Sequence, residues 1–120
     1  MLRIPRFRDT LGHMERHGSL IRLKPGALQD YRRHHAHVWP EVLRTIENCN
    51  IRNYSIYQKD NFLFSYFEYV GQDFAADMTK MAADPKTQEW WAVVGPLQEP
   101  LETRAAGEWW ATMEEVFHCD

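Results

Sequence analysis

The stretch Ile51-Arg52-Asn53-Tyr54-Ser55-Ile56-Tyr57-Gln58-Lys59-Asp60-Asn61-Phe62-Leu63-Phe64-Ser65-Tyr66-Phe67-Glu68-Tyr69-Val70 decides the fold. Ile51–Gln58 and Phe62–Val70 are rich in β-branched and aromatic residues, which pack well on a pleated surface. Lys59-Asp60-Asn61 between them has turn chemistry, so the pair reads as a β-hairpin. Strand alternation puts Phe62, Phe64 and Tyr66 on one face of the second strand and Leu63, Phe67 and Tyr69 on the other. Both faces of that strand are therefore apolar. In the first strand, alternation groups Tyr54 with Arg52 and Ile56, opposite Asn53, Ser55 and Tyr57. Polar Asn53 and Ser55 on a packed sheet point to a wet cavity rather than a dry core.

Upstream, Ser19–Leu23 reads as a short strand closed by Lys24-Pro25-Gly26, with Pro25 suited to the start of a helix because its missing N–H is unpaired there anyway. Leu28, Tyr31, Val38, Trp39, Val42, Leu43 and Ile46 then follow the spacing of one helical face. Pro40 interrupts that run, which predicts a kink or two abutting helices near Trp39. Downstream, Gly71-Gln72-Asp73 breaks the strand pattern and Phe74–Met81 reads as a short helix. Asp84-Pro85 has the form of an N-cap followed by proline, opening a helix that carries Trp90-Trp91 and ends near Gly95. A polar loop, Pro96–Glu108, leads to a final strand over Trp109–His118.

The order β-α-β-β-α-β predicts an α+β, ferredoxin-like domain over residues 17–120, preceded by an extension of uncertain structure over residues 1–16. Such a sheet carries its helices on one side. The aromatic second face would then be bare, and patches of that kind mark interfaces. Two sheets packed face to face in a homodimer is the expectation; coverage by the long loop and the N-terminal extension is the alternative.

With 120 residues, 44% of them hydrophobic, the chain can bury a core as one domain. A net charge of −3 without basic or acidic blocks argues against nucleic acid or an anionic membrane as partner. No apolar run is long enough to span a bilayer, and no apolar segment follows basic Met1–Arg8 as a secretion signal would require. Cys49 and Cys119 are then read as reduced thiols of a cytoplasmic protein.

The densest chemistry lies in Tyr31-Arg32-Arg33-His34-His35-Ala36-His37-Val38-Trp39-Pro40-Glu41. At ~100° per residue, His35 falls on the inward stripe one turn from Tyr31, with His34 on the flank and His37 on the far side. A histidine so placed is either a satisfied core or interface residue or a general acid/base able to give and take protons near neutral pH. His34 and His37 have a spacing that can share a metal, but no Cys or carboxylate with familiar ligand spacing stands beside them. Trp90-Trp91 is either core packing or a platform for the C–H faces of a sugar. The six glycines form no phosphate-cradling loop, and there is no G-x-S-x-G nucleophile signature.

The ordered set Tyr31-x-x-x-His35-x-x-Val38-Trp39-Pro40-Glu41, Asn53-Tyr54-Ser55-Ile56-Tyr57, Trp90-Trp91 and Glu114-Glu115-Val116-Phe117 resembles the L-rhamnose mutarotase family from about Gly18 to His118. The resemblance implies a dimeric α/β-barrel, interconversion of the α and β anomers of a deoxy monosaccharide, and no cofactor. It further implies His35 as proton donor, with Tyr31, Tyr54, Trp90 and Trp91 at sugar-binding positions. The chain departs from the family in its longer N-terminal extension and in Ala36-His37, where Asn-Pro is typical. Related L-fucose mutarotases leave the sugar open between L-rhamnose and L-fucose. Two other readings stand beside this one: a cofactor-free monooxygenase or haem-handling protein of the same architecture, and a non-catalytic sugar-binding module.

Overall fold

The computed structural model describes residues 14–120. Strand β1 (Glu15–Leu23) leads through a turn into helices α1 (Leu28–His35) and α2 (Pro40–Asn48). The hairpin β2 (Ile51–Lys59) and β3 (Phe62–Tyr69) follows, then helices α3 (Phe74–Ala83) and α4 (Pro85–Val94). A single 3₁₀ turn, Gly95–Leu97, and two short strands, β4 (Gln98–Glu99) and β5 (Ala111–Met113), complete the described chain. The sheet order is β2-β3-β1-β4, with β5 also paired to β1, and every pairing is antiparallel. This is the ferredoxin-like α+β arrangement that the hairpin and its flanking helices lead one to expect.

Local chemistry explains most element boundaries. Pro40 forbids the α region to Trp39, which sits at φ −63° and ψ 135° as the N-cap of α2, four residues after α1 has ended at His35. The single apolar stripe is thus carried by two abutting helices. Asp73 caps α3 through the Ala76 amide at 3.1 Å, and Asp84 caps α4 through the Thr87 amide at 2.9 Å with Pro85 at the first position. Pro25 does not open a helix, however. Gly26 adopts φ +76° in a turn, and α1 starts at Leu28 behind Ala27. The first strand also begins earlier than Ser19, so Glu15 and Arg16 of the expected extension belong to β1. The rest of that extension, through position 13, lies outside the described residues.

Two departures in the sheet matter for the site. In β2, Arg52 faces Glu68 and Ser55 faces Tyr66, so Asn53 and Tyr54 together oppose Phe67 alone. This is a β-bulge, and Asn53 at φ 50° absorbs it, since asparagine tolerates the left-handed region. The extra residue resets the alternation. Arg52 therefore lies on the outer face, not with Tyr54. Asn53 donates to the Glu68 carboxylate at 2.6 Å, and Ser55 pairs beside Tyr66, so neither lines an inner polar cavity.

The second departure is at the C-terminus. The strand expected over Trp109–His118 is reduced to Ala111–Met113, and β4 forms inside the segment expected to be loop. Trp109 is drawn off the strand line by its indole bond to Gln98, at 2.7 Å. Beyond Met113 the ladder gives way to a side-chain ion pair, Arg16 to Glu115 at 2.8 Å, and Val116 and Phe117 stand 91% and 80% exposed.

The core forms where the inner face of the sheet (Ile21, Leu23, Leu63) meets Tyr31, Val42, Trp90 and Val94 from the helices. On the outer face, Leu20, Phe62, Phe64 and Tyr66 remain half-buried.

Candidate active site

Helix α1 delivers Tyr31 and His35 to the same side because residues four apart are neighbours on a helix. Their rings stack with centroids 4.1 Å apart and planes at 23°. Tyr31 is buried in the core, whereas His35 is half-buried at the rim. His35 Nδ1 lies 2.9 Å from the Tyr31 carbonyl oxygen. A carbonyl only accepts, so Nδ1 carries the proton and Nε2 of the neutral ring keeps its lone pair. Trp90, on α4, meets His35 edge-on at 5.3 Å and also contacts Trp39 at 5.3 Å and His34 at 6.4 Å.

Burial among these rings lowers the His35 pKa below the ordinary 6.5; the Tyr31 carbonyl opposes that shift and neighbouring His34 reinforces it. Near neutral pH the ring is mainly neutral, a base at Nε2. The Tyr31 phenol is pushed well up by burial, against a hydrogen bond from Gln98, and the Tyr54 phenol reinforces the rise. Desolvation raises Tyr54 as well, so both phenols keep their protons at neutral pH. The Tyr54 ring lies against Phe67 on the inner face, 5.6 Å between centroids, which the bulge in β2 makes possible.

Of the five residues marked in the sequence, Tyr31, His35 and Trp90 are in direct contact. Tyr54 is within electrostatic reach of Tyr31. Trp91 stands apart: it is 45% exposed while Trp90 is 6% exposed, as adjacent helical positions about 100° apart allow. His34 and His37 do not form the i,i+3 pair that a metal would need. Helix α1 ends at His35, the His34 ring is turned to Trp90, and His37 is exposed beyond the helix.

Two residues join the site without warning from the sequence. Gln98 is 5% exposed, with its amide nitrogen 3.3 Å from the Tyr31 hydroxyl and its amide oxygen accepting from Trp109. A lone glutamine in a polar stretch carries no pattern that would single it out. Elsewhere, an open hollow of about 260 Å³ is lined by Thr45, Asn48, Cys49, Lys80, Ala83 and Asp84. It shares no residue with the His35 cluster, and its one cationic side chain already donates to the Asn48 carbonyl at 3.1 Å.

Known proteins with this architecture bear on the assignment. The sequence model of L-rhamnose mutarotase matches residues 16–119. An L-rhamnose mutarotase from Phocaeicola vulgatus is 32% identical over 109 residues, covering 89% of this chain and all of its own length. Another, from Sinorhizobium fredii, is 32% identical over 108 residues, covering 88% of this chain and 98% of its own. Among solved structures, L-rhamnose mutarotase FA22100 from Formosa agariphila superposes with a TM-score of 0.69 at 23% identity, covering 88% of this chain and 99% of that one. The tetracenomycin F2 cyclase of Streptomyces glaucescens follows at 0.67 with 12% identity, over 88% of this chain and 97% of its own, a likeness of fold alone. With the family's sequence model spanning the domain from Arg16 to Cys119 and a full-length relative at 32% identity, the chain belongs to the L-rhamnose mutarotase family, isomerases acting at the anomeric carbon.

Proposed function

We propose that this protein interconverts the α and β anomers of L-rhamnose, with His35 as the proton carrier. The observation that carries the mechanism is the His35 Nδ1 contact with the Tyr31 carbonyl, which leaves Nε2 as the one basic nitrogen of the ring. Nε2 takes the proton of the anomeric hydroxyl. The C1–O5 bond breaks as the C1–O1 double bond forms, and the imidazolium returns that proton to O5. Both oxygens are bonded to C1, so one nitrogen serves both. Rotation about C1–C2 and the reverse steps close the ring on the other face. The balance needs no cofactor, and His35 acts as donor and acceptor in turn.

Tyr31 supplies a neutral hydroxyl donor to the sugar, and Tyr54 a second from β2. Trp90 and Trp91 present apolar surface to its ring carbons and to the methyl group of a 6-deoxy sugar. L-fucose is the second substrate to test, because it shares that methyl group. The enzyme works in the cytoplasm as a homodimer joined through the outer face of the sheet. The half-exposed row Phe62, Phe64 and Tyr66, with exposed Val116 and Phe117 nearby in sequence to β5, supports that packing.

Exchange NMR of the anomeric protons tests the reaction. Wild type is expected to accelerate α/β exchange of L-rhamnose, and His35→Ala to abolish most of the acceleration while the folded spectrum persists. Binding without acceleration would mark a sugar-binding module and end the enzymatic reading.

A further inference from the structure

We infer that Gln98 and Trp109 are positioning residues that aim the Tyr31 hydroxyl proton at the sugar, an inference that rests on the mutarotase reading above. An indole N–H can only donate. At 2.7 Å it takes the Gln98 amide oxygen, which fixes the orientation of the amide and leaves its nitrogen toward Tyr31. That nitrogen, 3.3 Å from the Tyr31 oxygen, donates to it. The phenol is thereby an acceptor on its protein side. Tyr31 has no acceptor for its own proton among the described residues. The proton therefore lies in the plane of the ring on the side away from Gln98, free for the sugar to accept.

The relay is built rather than incidental. Gln98 is 5% exposed, and its two bonds satisfy both ends of its amide. β4, although only two residues long, pairs Gln98 with Leu23 at the core end of β1 and so fixes where the amide begins. Trp109 reaches it from eleven residues further along, and Glu108 ties that approach down by accepting from the Ala105 amide at 3.0 Å and the Thr112 hydroxyl at 2.6 Å. A phenol whose proton is already aimed pays no reorientation cost when the sugar arrives.

The decisive variant is Gln98→Glu, which keeps the shape and reverses the polarity. A carboxylate accepts from both Trp109 and Tyr31, so the Tyr31 proton turns away from the sugar. Gln98→Glu should lose roughly tenfold in L-rhamnose exchange rate, the value of one ordinary hydrogen bond, and match Tyr31→Phe. The loss should shrink as pH falls and the new carboxyl gains a proton it can donate, whereas a merely structural defect gives a pH-independent ratio. In a Tyr31→Phe background, Gln98→Glu should add nothing further. Trp109→Phe, at the exposed end of the relay, should show a smaller loss of the same kind. Multiplying effects in the double variant, or a pH-independent loss, would overturn the inference. A sugar-free readout separates it from the reaction itself: the Trp109 indole proton resonance should shift upfield in Gln98→Leu, and an unmoved resonance refutes the relay even if exchange is fast. Should wild type leave exchange unaccelerated while that resonance moves, the reaction assignment fails and the relay stands.

Discussion

Helix α1 and the segment from Gln98 to Met113 both serve Tyr31, but they do so over very different distances along the chain. Tyr31 and His35 are four residues apart, and one helical turn both stacks their rings and supplies the carbonyl that fixes the imidazole tautomer. Gln98 lies 67 residues from Tyr31, and its own partner Trp109 lies eleven further on. The first arrangement follows from helix geometry alone. The second exists only because β4 and β5 both dock on the same edge of β1. One side of the phenol is thus set by secondary structure and the other by tertiary structure, and the two should fail differently when disturbed.

The largest expected effect is on the local side. His35→Ala removes the proposed proton carrier and should cost about 10²–10⁴-fold in anomer exchange, the range for acid–base assistance. The pH profile sharpens this. Burial lowers the His35 pKa, and in the proposed cycle the neutral ring takes the first proton, so the rate should rise with pH through a midpoint below 6.5 and then level off. A rate that falls as pH rises through that midpoint would mean that the imidazolium starts the cycle instead, with a different base at the anomeric hydroxyl.

Next in size comes the tryptophan pair. Trp90 is buried against His35, Trp39 and His34, and Trp90→Ala should cost about 3–5 kcal/mol in chemical denaturation, the usual price of an emptied aromatic site. Trp91→Ala, at an exposed position, should stay within about 0.5 kcal/mol, as surface changes do. If Trp91 meets the sugar, its variant should raise KM for L-rhamnose with little change in stability. Equal destabilisation by both variants would show that α4 is buried on two sides, as it would be under a partner subunit.

The same contrast between local and distant causes explains what could be read from the sequence. The break before Pro40, the cap at Asp84 and the hairpin turn at Asp60-Asn61 rest on the chemistry of adjacent residues. So does the placing of Tyr31 beside His35. Pro25 shows that local chemistry can still be misread: a proline that suits a helix start equally suits the turn in which Gly26 takes its positive φ. The short β5, the strand β4 and the burial of Gln98 depend on which edge of β1 is free once β3 has paired. No window of sequence holds that information. The face of Arg52 is hidden from strand alternation for a similar reason, since the bulge between Arg52 and Ser55 resets the alternation on one side of it relative to the other.

That bulge gives the smallest and most diagnostic test. Asn53 holds φ 50°, where a β-branched residue is strained, so Asn53→Val should cost about 1–2 kcal/mol in stability. Asn53→Gly keeps the conformation without strain but loses the bond to Glu68, and should change stability by less. The two variants should differ more in sugar handling than in stability. If valine drives the bulge out of β2, Tyr54 moves to the outer face and its phenol leaves the neighbourhood of Tyr31, whereas glycine leaves it in place. Exchange kinetics on L-rhamnose should then show weaker binding for Asn53→Val and near-wild-type binding for Asn53→Gly. Equal binding in both, with the valine variant destabilised as expected, would mean that Tyr54 does not touch the sugar and that the site rests on α1, α4 and the relay from Gln98.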